Sequence, residues 1–170
     1  MSMSSVVVIA DWIKRVADEE RKRDAVRLAQ QEEAARKADL VRRHGARLVD
    51  DVHAAILRDV ESFRQEFPDD HLREIVVDAR NADGGFTVSK PASPSVGLTV
   101  DPHLDAATLG CHYRFTLPNG LPPRDDRFEV VFTGDAETLQ MRHHDTGRIF
   151  ATADDLSEFL LVPVFTGRPR

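Results

Sequence analysis

Seven histidines, one cysteine and four adjacent aspartate pairs are the side chains from which this chain could build a reactive site. The histidines are His44, His53, His71, His103, His112, His143 and His144, and none stands in H-E-x-x-H or H-x-H spacing. Those spacings set two imidazoles on one face of an element where they can share a metal ion, and there is no cysteine pair for zinc either. The densest group, His143-His144-Asp145, falls at a strand end, where neighbouring side chains point to opposite faces. It reads as the polar end of a hairpin, and no metal is expected.

Cys111 is next to His112, but adjacency on a strand separates a thiol from the base that would activate it. Cys111 is instead in phase with Leu109, Tyr113 and Phe115, which reads as a small buried hydrophobe. No G-x-S-x-G turn presents a serine. The pairs Asp50-Asp51, Asp69-Asp70, Asp125-Asp126 and Asp154-Asp155 fall at helix ends, in loops or on a helix surface, where solvated acids are ordinary. Asp83-Gly84-Gly85 has neither the lysine nor the glycine spacing of a phosphate loop, and it reads as a hairpin turn. No catalytic motif and no cofactor signature emerge.

One constellation remains. If the chain forms a sheet with one polar face, His112, Arg114, Thr116, Glu129, Thr133 and Arg142 share that face. His112, Arg114, Glu129 and Arg142 are then the candidate residues for a small-molecule or anion site. The competing explanation is that any antiparallel sheet covered on one side displays polar residues on the other.

The elements that would position these groups divide the chain in two. From Ser5 to Phe67 there is no proline and one glycine, Gly45, among strong helix formers. Leu48, Val49, Val52, Ile56, Val60, Phe63 and Phe67 recur at helical spacing and form an apolar stripe that must pack on something flat. Between Asp18 and Lys37, twelve of twenty residues are charged and no core can be built. Opposite charges at helical spacing, Glu20 and Asp24 against Arg23 and Arg27, suit a solvated helix there. Arg42-Arg43-His44 before Gly45 resembles a helix C-terminus, and one continuous helix with a weak spot is equally compatible. The expectation is a break or bend near Gly45. That divides the chain into a projecting charged helix, 1–44, and a body, 45–170, with its own helix at 46–67.

After Pro68, β-branched and aromatic residues alternate with polar ones, and turns recur at Gly84-Gly85, Asn119-Gly120, Gly134-Asp135 and Thr146-Gly147. Strands are expected at 72–79, 85–90, 96–101, 109–116, 127–133, 138–142 and 147–151. Links this short join antiparallel neighbours. Thr152 with Asp155 three positions on marks a helix start, and Leu156, Phe159 and Leu160 give it an apolar face. Pro163 is expected to end this short helix, placing it at 153–162. The fold class is therefore α+β: a long N-terminal helix, an antiparallel meander of six or seven strands, and a short C-terminal helix packed on one sheet face.

Charge and apolar residues locate the expected contact surface. The chain carries a net charge of −6, against the basic excess of a general nucleic-acid binder. Residues 11–47 nevertheless hold eleven bases against eight acids, so the acidity resides in the remainder. Interleaved acids break any positive stripe, and the middle of the helix lacks the apolar face of a membrane-surface helix. Neither nucleic acid nor membrane is expected, and an apolar run too short to span a bilayer, with a single cysteine, points to the cytoplasm. Val8, Ile9, Trp12, Ile13 and Val16 crowd the start of the helix and need burial, against the same body or a partner. The expected function is a non-catalytic interaction or adaptor protein, self-associating as a homodimer or meeting another protein through this helix. The alternative is the ligand site on the polar sheet face.

Overall fold

The computed structural model describes residues 10–134 and 138–170. They form a helix α1 (Asp11–Glu66), seven strands and a second helix α2 (Ala153–Thr166). The strands are β1 (Val76–Val77), β2 (Phe86–Lys90), β3 (Ser95–His103), β4 (Thr108–Thr116), β5 (Arg124–Gly134), β6 (Leu139–His143) and β7 (Ile149–Phe150). The chain divides into two compact units, one ending at Lys37 and the other running Ala38–Arg170.

In the first unit α1 is a solvated helix held by its own charges. Arg21 pairs with Asp18 at 2.7 Å, Arg23 with Glu20 at 3.0 Å, Arg27 with Asp24 at 3.2 Å and Arg36 with Glu33 at 2.6 Å. All are one helical turn apart, the spacing at which side chains on a helix surface meet.

The second unit is a meander in which every strand pairs antiparallel with its sequence neighbour, in the order β1 to β7. The strand alternation appears as burial. Leu109, Cys111, Tyr113 and Phe115 on β4 are buried, as are Val96, Leu98 and Val100 on β3 and Val130 and Phe132 on β5. The α1 stripe joins them: Val49, Val52, Ile56 and Val60 are buried, and Leu48 and Phe63 pack against the same core. Phe67 stays partly exposed, with the Arg73 guanidinium over its ring at 4.5 Å. From α2, Leu156, Leu160, Leu161 and Val164 complete the layer.

Three local expectations are corrected. The helix does not break near Gly45; α1 is continuous from Asp11 to Glu66, and Gly45 is buried within it. A Cβ on Gly45 would lie 3.2 Å from Leu104 Cδ2, so this glycine lets the helix approach the β3–β4 connection. The strand expected at 72–79 shrinks to β1, because Asp70 accepts a hydrogen bond from the Leu72 amide and starts a short 3-10 turn at His71–Arg73.

The last helix begins where expected, with Thr152 Oγ1 accepting from the Asp155 amide at 3.2 Å, but Pro163 does not end it. It runs on to Thr166 and is capped by Gly167 in the left-handed conformation. Proline forfeits one hydrogen bond inside a helix, and burial of Pro163 among core residues outweighs that loss. The Tyr113 hydroxyl also donates to the Leu160 carbonyl, tying this stretch of α2 to the sheet.

Candidate functional site

The polar face of the sheet is a grid set by strand register. Gly97 on β3, Arg114 on β4 and Asp125 on β5 form one row. Thr99, His112 and Arg127 form the next, and Asp101, Gly110 and Glu129 the third. His103, Thr108, Val131 and Arg142 form the fourth, which reaches β6. Rows lie two residues apart along each strand, about 6–7 Å, and strands lie about 5 Å apart.

Gly110 leaves a gap in this grid. A Cβ there would have His103 Nε2 as its nearest contact, at 3.6 Å, so the imidazole stands over the missing side chain. Around the gap lies an open depression of about 410 Å³, lined by Asp101, His103, His112, Arg127, Glu129, His144 and Asp145. That volume is within the range of small-molecule sites. His144 is brought to the rim by its amide, which donates to the Glu129 carbonyl at 3.0 Å beyond the end of β6.

The four residues expected from sequence therefore divide. His112 and Glu129 line the depression, whereas Arg114 lies one row away and Arg142, in the row of His103, lies on β6 outside the lining. His112 is anchored, its Nε2–H donating to Asp125 Oδ1 at 2.8 Å, with Arg114 NH1 at 3.8 Å from the same oxygen. The hydrogen bond from His112, aided by Arg114, holds the Asp125 carboxyl below the usual range. Asp101, His103 and Arg127 were not singled out from sequence, and His144 was read only as part of a polar hairpin end. The alternation of β3 was a usable signal, since Asp101 and His103 continue the polar phase of Thr99.

Cys111 points to the other face. It is buried, and burial followed by the nearby Asp101 charge pushes its thiol up to about 12. An activated nucleophile needs the opposite shift. Among the described residues, no group of three or more His, Cys, Asp or Glu side chains is arranged to hold a metal ion.

The helix patch is the second candidate. Trp12 is 60% exposed, Ile13 43% and Val16 47%, and Val26 and Leu28 further along α1 are exposed as well. Trp12 and Val16 are one turn apart, as are Ile13 and Val16, so the three form one surface. Val8 and Ile9, expected to belong to this patch, lie outside the described residues. Among the described residues no helix is long and apolar enough to cross a membrane. No protein-family model matches the chain, and neither a curated protein nor a solved structure matches it.

Proposed function

We propose that the protein is a non-catalytic interaction module of the cytoplasm that self-associates through the N-terminal part of α1. The observation that carries this reading is the exposure of Trp12, Ile13 and Val16 on a helix whose neighbouring surface is otherwise charged. Large apolar side chains grouped at one end of a solvated helix lower their free energy by meeting a partner. The pairs from Asp18 to Arg36 keep the intervening helix wet, leaving the apolar cluster as its adhesive element.

Light scattering on the full chain tests this. The expected result is a dimer that Trp12→Ala with Ile13→Ala converts to a folded monomer. A dimer unchanged by both substitutions places the interface elsewhere, and a monomeric wild-type chain defeats self-association. Trp12 is the only tryptophan, so its emission should shift to the blue as concentration rises through the dimerisation range.

A second reading rests on the Gly110 depression. Three carboxylates, Asp101, Glu129 and Asp145, share the lining with one guanidinium, Arg127, and with His103, His112 and His144. Three carboxylates against one guanidinium suit a small ligand bearing an amine better than the anion that His112 and Arg114 alone suggested. A metabolite screen read by melting temperature should find amine-bearing ligands whose shift disappears in Gly110→Val. A shift that survives that substitution removes the depression from the site.

A further inference from the structure

We infer that the Gly110 depression takes a basic amino acid, with its α-carboxylate on Arg127 and its two ammonium groups on Glu129 and Asp101. This rests on the amine-binding reading above and names the ligand class of that site. Strand alternation sets Arg127 on β5 between Asp125 and Glu129, on the same face and about 6–7 Å from each along the strand. Asp125 Oδ1 is already engaged by His112 Nε2 at 2.8 Å, with Arg114 NH1 at 3.8 Å. Among the described residues the Arg127 guanidinium makes no hydrogen bond or ion pair, and neither does the carboxylate of Glu129 or of Asp101. All three line the same depression. A guanidinium is a fixed fork of donors that matches a carboxylate, and a ligand with amines alone would leave that fork unused.

The neighbouring row sets the length of the ligand. Asp101, Gly110 and Glu129 stand side by side on β3, β4 and β5, so the two acids lie about 10 Å apart across a residue with no side chain. A flexible four-carbon stem, as in lysine, can lie over Gly110 and place its ammonium at Asp101. The α-ammonium and α-carboxylate, carried on one carbon, then meet Glu129 and Arg127, which are next-but-one neighbours on one strand. Any side chain at position 110 would occupy the path of the stem, since a Cβ there already lies 3.6 Å from His103 Nε2. With Asp145 at the rim, the lining holds three carboxylates to one guanidinium, which favours a ligand of net positive charge over a neutral amino acid.

Calorimetric titration of the full chain at neutral pH and low salt tests this with a matched pair, L-lysine and cadaverine, which is lysine without its carboxylate. Lysine should bind at least about tenfold more tightly, the worth of one charge-assisted pair. Arg127→Gln should erase that preference by weakening lysine alone. Gly110→Val should abolish binding of both, with the unliganded melting temperature showing that the variant is folded. Glu129→Gln, of nearly the same shape, should weaken both and serves if Gly110→Val does not fold. Equal or tighter binding of cadaverine by the wild-type chain would overturn the carboxylate assignment and leave the amine reading intact. A preference for lysine that survives in Arg127→Gln would overturn the role given to Arg127. Binding of neither compound overturns both the inference and the reading beneath it.

Discussion

Raising the pH should destabilise the fold through Cys111, and the size of the effect can be worked out. The thiol is buried in the row of Val100 and Phe128, and burial pushes it up to about 12 in the folded chain against an ordinary value of 9.0. For an acid whose folded pKa is raised, stability is intact below the unfolded pKa and is withdrawn as the pH climbs towards the folded one. Between pH 8 and pH 11 the unfolded chain ionises its thiol and the folded chain hardly does, which costs roughly 2–3 kcal/mol. Tyr113, also held above its ordinary range by burial and the neighbouring thiol, adds a loss that begins near pH 10. Comparison with Cys111→Ala removes most of that shared background. At pH 8 the variant should be less stable by about 1 kcal/mol, the cost of a small void. By pH 11 the order should reverse, because only the wild type has a thiol to ionise on unfolding. Urea unfolding of both proteins at half-unit steps of pH measures the gap. A gap constant from pH 8 to 11 would refute the burial argument and reopen Cys111 as an ionisable group in the native state.

Two further outcomes test how α2 is held. Tyr113→Phe removes the donor to the Leu160 carbonyl and should lower stability by about 1–2 kcal/mol in urea unfolding, with an unchanged denaturant slope. Gly167→Ala should cost about 2 kcal/mol or more in melting experiments, since φ is +67° there and a Cβ would lie 2.7 Å from the Pro94 carbonyl oxygen. A loss under half of that would mean the Pro94 loop moves aside.

Alternation and turn chemistry made the meander legible: β3 and β4 bury alternate side chains along most of their length, β5 does so at Val130 and Phe132, and the links between strands are short enough to forbid crossovers. What stayed hidden was tertiary. Gly45 resembles a helix end because local propensity registers only its freedom, whereas its place depends on Leu104, almost sixty positions away. Pro163 resembles a stop because the lost hydrogen bond is local and the burial that offsets it is not. The polar face was visible as a phase, so His112 and Glu129 were found. The depression was not, because it is made by an absent side chain at Gly110 and by register that brings Asp101 and His103 alongside it. Cluster membership depends on strand offsets that no single strand encodes.

The two stretches of α1 owe their helicity to different causes, and this bears on what the N-terminal stretch is for. From Leu40 onward, buried residues recur at every turn, and core packing holds the helix. In residues 11–37 the visible support is four surface ion pairs, each contributing about 0.3–0.5 kcal/mol. Together that is well below the backbone entropy of ordering the segment, about 1–2 kcal/mol per residue, so hydrogen bonding and propensity must supply nearly all the rest. Such a stretch extends easily from the packed nucleus, because propagation is close to neutral, but gains little stability of its own. Strong helix formers, ion pairs and exposed apolar side chains make an ordered surface that is only marginally stable alone. Burying Ile13 and Val16 of the N-terminal cluster against a second copy would supply part of the missing stabilisation, at roughly 1.5–3 kcal/mol for each fully buried large side chain. Association and helix order would then rise together, as a coupled equilibrium in which the surface is completed by the contact it makes.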